Sequence, residues 1–164
     1  MSYIEKNLMD GEVILYRARL HRIVFAEAVI WFIFAIILFG LSREPHLSAK
    51  LAGGLFFLFV GGFFLLIAVN KAIESLVKYS SSEFGITNQR VLLKTGFIRR
   101  KSLEVLLSKV EAIQVNQDIL GRIFGYGSIM VSGTGGTRDI FHKISNPLEF
   151  RKKIQEQIAA IQNR

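Results

Sequence analysis

Four cations crowd one short stretch, Lys94, Arg99, Arg100 and Lys101, on either side of a Thr95-Gly96 turn signal. Side chains flanking a tight hairpin lie close together. Held beside an anionic bilayer leaflet, each such charge contributes on the order of 1 kcal/mol of attraction. The cluster is therefore the candidate site for lipid headgroups, and a solvated basic face is the plainer alternative. Other chemistry has less to stand on. His21, His46 and His142 fall in three separate stretches, so their spacing offers neither a metal set nor a triad. The chain has no cysteine, which removes disulfides and thiolate metal sites. Gly133-Thr134-Gly135-Gly136 lacks the Lys-Ser/Thr of a phosphate-binding loop and sits between strand-like runs. Gly121, Gly125 and Gly127 lack the strand-turn-helix setting of a dinucleotide site. No catalytic residue set, metal site or cofactor is expected, and the chain reads as a non-enzyme.

The elements that must position the basic cluster are dominated by two apolar runs, Val24 to Leu41 and Leu51 to Val69, separated by the polar residues 42–50. Each approaches the roughly 20 residues that a helix needs to cross a bilayer. The expectation is a transmembrane helical hairpin over 23–70. The 22 mixed residues before it, with Glu5, Asp10 and Glu12, do not fit a signal peptide, so the first helix is expected to stay as an anchor. Arg17, Arg19 and Arg22 precede the first run, and Lys71, Lys78 and Arg90 follow the second. The connecting loop offers only Arg43 and Lys50. That asymmetry places both termini in the cytoplasm. It also accounts for much of the net charge of +8, so nucleic acid is not an expected partner.

Within the runs, small residues recur every seven positions: Ala28, Ala35 and Ser42 in the first, Gly54, Gly61 and Ala68 in the second. Such spacing keeps them on one face, where they let two helices approach closely. Gly53 and Gly62 add a second small face that could meet another chain or nothing. Glu27 is the only ionisable residue in either run. It can act as an interfacial anchor, or as a polar contact within or between chains.

Residues 1–22 form a cytoplasmic segment with a turn at Asp10-Gly11-Glu12 and a weak period-two strand over 13–20. Residues 71–82 read as a helical continuation or linker ending at Ser80-Ser81-Ser82. From 83 to 164 six or so short strands with frequent turns predict a small antiparallel sandwich or barrel. Asn146-Pro147-Leu148-Glu149 then opens a helix whose Phe150, Ile154, Ile158 and Ile161 share one face and can cap that barrel.

The run Phe84-Gly85-Ile86-Thr87-Asn88-Gln89-Arg90-Val91, then Lys94-Thr95-Gly96-Phe97-Ile98-Arg99-Arg100, resembles the opening of the bacterial pleckstrin-homology-like domain. Leu107 to Ile113, Asn116-Gln117 and Leu120 to Ile129 continue the resemblance, with Gly85 and Ser108 departing from it. It spans 83–162, and the two preceding helices resemble the family's membrane-anchored members. The resemblance implies a membrane protein of α+β class in the bacterial cytoplasmic membrane, its PH-like sandwich capped by a C-terminal helix. The expected function is a non-enzymatic, membrane-anchored interaction module, an accessory or scaffolding subunit with protein partners or copies of itself. The alternative is a sensor of anionic lipid headgroups through the basic hairpin. A transport role would require oligomerisation, since two helices enclose no pathway.

Overall fold

The computed structural model describes residues 3–43, 51–97, 100–134 and 138–162. Two compact units emerge: residues 1–23 with 78–164, and residues 24–77.

The first unit is a β-sandwich. The short helix α1 (Tyr3–Lys6) leads to β1 (Ile14–Ala18). The remaining strands follow much later in the chain: β2 (Glu83–Thr87), β3 (Arg90–Thr95), β4 (Lys101–Leu106), β5 (Val110–Asn116), β6 (Tyr126–Gly133) and β7 (Arg138–Ser145). One antiparallel sheet has the order β1-β2-β3-β4 and the other β5-β6-β7. A bridge between Leu20 and Ile144 ties the chain beyond β1 to the second sheet. Thus the N-terminal segment, read from the sequence as a separate piece, supplies an edge strand, with Ala18 opposite Phe84 and Tyr16 opposite Ile86.

Strand patterns follow from what covers each face. In β4, Leu103 and Val105 point inward while Ser102 and Glu104 are exposed, the alternation of a strand with one wet face. In β2, Phe84, Gly85, Ile86 and Thr87 are all buried, because α1 covers the outer face. Gly85 leaves the space that Ile4 fills: a Cβ there would stand 2.7 Å from Ile4 Cδ1. The departure of Gly85 from the resemblance thus has a steric reason. The core gathers Phe84, Ile86, Leu93, Ile129, Phe141 and Ile144, with Phe84 and Phe141 meeting edge to face. It is closed by a C-terminal helix (Pro147–Gln162) that buries Phe150 and Ile154. The Phe150 ring meets Tyr16 at 6.0 Å.

One helix was not anticipated. Residues Ile119–Phe124 form α4, and the C-terminal helix is accordingly α5. The Asp118 side chain caps α4 by accepting from Gly121 N, and Gly125 ends it in the left-handed conformation at φ 75°.

The second unit is a pair of helices. After a 3-10 turn over Arg22–Phe25, α2 runs Ala26–Leu41; α3 runs Leu51–Ser81, so residues 71–81 continue the helix. By length and composition, Arg22–Leu41 and Gly53–Ser81 could each cross a membrane. Ala28, Ala35, Gly61 and Ala68 are buried, whereas Ser42 and Gly54 are half-buried. A Cβ on Gly61 would meet Phe39 of α2 at 3.4 Å, in ordinary contact. Trp31 and Phe64 stack with ring centres 5.3 Å apart, and Ser75 Oγ donates to the Val24 carbonyl at 2.9 Å.

Candidate functional site

The basic cluster is built on the β3–β4 hairpin. Lys94 lies opposite Ser102 and Thr95 opposite Lys101. Residues directly opposite share a face and neighbours along a strand do not, so Lys94 and Lys101 project to opposite faces of the sheet. Their contacts follow suit. Lys94 Nζ sits 4.4 Å above the Tyr3 ring, a cation–π contact on the α1 side. Lys101 Nζ lies 2.5 Å from Asp139 Oδ1 on β7. Arg100 is exposed, and Arg99 lies outside the described residues. The hairpin gathers the cations in sequence but does not gather Lys94 and Lys101 into one anion pocket.

The strongest polar constellation lies elsewhere. Thr87 and Arg90 flank the β2–β3 turn, where Thr87 Oγ1 accepts the Arg90 N–H at 3.0 Å. The Arg90 guanidinium donates from Nε and Nη2 to the two Glu12 oxygens, each at 2.9 Å, and from Nη1 to Glu104 at 2.7 Å. It also donates to the Asn7 carbonyl. The Glu12 side chain is fully buried and also accepts from Met9 N. These hydrogen bonds, that of Arg90 foremost, outweigh burial and hold the Glu12 carboxyl at about 2. A bidentate, buried pair of this kind fixes a segment in place. It binds the N-terminal segment to the sheet. The sequence pointed to Thr87 and Arg90 but treated Glu12 as turn composition; only the paired cation reveals its role.

His21 packs against Tyr126 with ring centres 5.4 Å apart and accepts from Ile23 N, while His142 meets Ser128 at 3.0 Å. His46 lies outside the described residues, as do Gly135 and Gly136. Among the described residues no group of three or more histidines and carboxylates could hold a metal. Gly121 and Gly127 serve close packing: a Cβ on either would come within 2.8 Å of a backbone oxygen, Tyr126 O or Asn116 O. In the helical unit, Glu27 lies 3.6 Å from Lys71, which also reaches Glu74 at 3.2 Å.

Two antiparallel sheets closed by a C-terminal helix make a small sandwich of PH type. A family model described as bacterial PH domain matches residues 32–158. The chain therefore belongs to the bacterial PH domain family, and the match, beginning inside α2, takes in most of the helical pair and the strands β2 to β7 but not β1. No curated protein matches it.

Proposed function

We propose that the protein is a non-enzymatic interaction module anchored in the bacterial cytoplasmic membrane by α2 and α3, with its sandwich and both termini in the cytoplasm. The observation that carries this is the pairing of β1 with β2 across the helical pair. Ala18 and Phe84 are sheet neighbours, so the chain must leave and re-enter the sandwich on one side of a bilayer, as two spans require. The outward faces support the same reading. Ile33, Phe34, Ile37, Phe56, Phe59 and Phe63 are all exposed, an apolar surface that soluble proteins do not leave in water. The charge asymmetry favours the cytoplasmic side.

Anchoring concentrates the module near other membrane proteins, and its partner is a protein subunit or a second copy. The edge strands β4 and β5 offer backbone groups for strand addition. Headgroup sensing at the basic turn draws less support, since Lys94 and Lys101 face apart and each already has an aromatic or carboxylate neighbour. Purification of the full chain in a gentle detergent, after alkaline extraction of the membranes, tests the proposal. The expected result is retention through the alkaline wash and co-purification of a stoichiometric protein, or a homo-oligomer. Release by alkali overturns the anchor, and a lone monomer overturns the interaction role.

A further inference from the structure

Helix α4 is amphipathic in the wrong direction for a core element. Ile119, Leu120, Ile123 and Phe124 fall within an arc of about 140° at 100° per residue. They are 78, 56, 69 and 55 % exposed. The side turned to the sheet is Gly121, buried where a Cβ would clash with Tyr126 O. So α4 docks through a glycine and offers its large apolar side chains outward. One exposed leucine needs no explanation, but four on one face of a six-residue helix do.

Chain connectivity says what covers them. The end of α4 is tied to the segment that leads into α2: Asn146 N donates to Gly125 O, Ser145 N to Arg19 O, and His21 N to Lys143 O. The His21 ring lies against Tyr126, two residues beyond the helix. From His21 the 3-10 turn rises about 2 Å per residue, so α2 begins within roughly 10 Å. The headgroup layer is itself about 6 Å deep on each side. Arg122 in α4 and Arg19 and Arg22 in the segment that leads to α2 are all exposed, and cations beside an apolar helix face are the combination that seats a helix in an anionic interface.

We propose that α4 inserts its Ile119–Phe124 face into the same leaflet that α2 enters, pinning the sandwich to the bilayer surface. This rests on the reading of α2 and α3 as membrane spans. The absence of cysteine makes the test direct. Ile119→Cys and Ile123→Cys, each made singly in the full chain, are labelled with an environment-sensitive fluorophore. The protein is placed in phosphatidylethanolamine–phosphatidylglycerol vesicles containing a lipid spin-labelled near the top of the acyl chain. Phe34→Cys on α2 and Gln155→Cys on α5 serve as references. The expected result is quenching at 119 and 123 several-fold stronger than at 155, with 34 protected from aqueous quenchers. Labels at 119 and 123 that behave like 155, while 34 is protected by lipid, overturn the insertion of α4 and leave the anchor standing. Exposure of 34 to water overturns both. A blue-shifted but unquenched label at 119 and 123 also overturns the proposal, because a protein then covers α4.

Discussion

Glu12 carries a sign-defined pH dependence. Its carboxyl is held at about 2 against an ordinary 4.5. Between those values the unfolded chain binds more protons than the folded one, so stability rises with pH across the window. The contribution is complete above pH 4.5 and is lost as pH falls toward 2, in all about 3 kcal/mol. Chemical denaturation of the full chain in detergent should show most of that loss between pH 4.5 and 2.5. Glu12→Gln should be destabilised at neutral pH by about 3–5 kcal/mol, since it leaves the buried guanidinium of Arg90 half-paired. Its stability should also vary less across the acid window; parallel curves for variant and wild type would remove Glu12 as the cause. Gly85 gives a steric counterpart. Ile4 Cδ1 is the free end of a side chain and can yield to one methyl, so Gly85→Ala should be mild. Gly85→Val should cost about 1–3 kcal/mol by displacing Ile4, and a matching Ile4→Ala should recover part of that loss.

Among the elements, those with a strong local signal were legible. The alternation of Leu103 and Val105 marked β4 as a strand with one buried face, and Asn146-Pro147 with Phe150 and Ile154 marked α5. The strand over 13–20 was visible as a weak alternation, but its place was not, because its partner β2 (Glu83–Thr87) comes only after both long helices in the chain. Helix α4 was missed although Asp118 and Gly125 are ordinary start and stop signals: its six residues carry no core-facing apolar period. The basic cluster was visible, yet its division between two faces depended on the β3–β4 register, which the Thr95-Gly96 turn alone did not determine. The sequence boundary at residue 83 can be tested as a folding boundary. A fragment of residues 80–164 lacks both β1 and Glu12, exposing the edge of β2 and leaving the Arg90 guanidinium with Glu104 as its carboxylate partner. It should give poorly dispersed amide NMR spectra. A fusion of residues 3–21 to 78–162 through a short glycine-serine linker restores both and should give a dispersed, cooperative fold, because Ala18 and Phe84 are already adjacent. Equal dispersion for the two polypeptides would show that β1 is dispensable.

At the scale of the whole molecule, a single covalent fact governs topology. The helical pair interrupts one sheet between its first two strands, so any arrangement with an odd number of crossings would tear β1 from β2. With α2 and α3 read as the spans proposed above, same-side termini follow from strand pairing, and the charges of Arg17, Arg19 and Arg22 before α2 and of Lys71 and Lys78 in α3 favour the cytoplasmic side. In that reading, the contact of Glu27 with Lys71 gives a carboxylate inside the proposed first span a cationic neighbour. Single cysteines can read the outcome in intact spheroplasts with a membrane-impermeant maleimide. A cysteine in place of Ser48, between α2 and α3 in sequence, should be labelled without lysis. One in place of Gln162, at the end of α5, should be labelled only after lysis. The reverse pattern would invert the protein and place the sandwich outside. Labelling of both in unlysed spheroplasts would mean that the two positions share a side, and α2 and α3 would then not be spans.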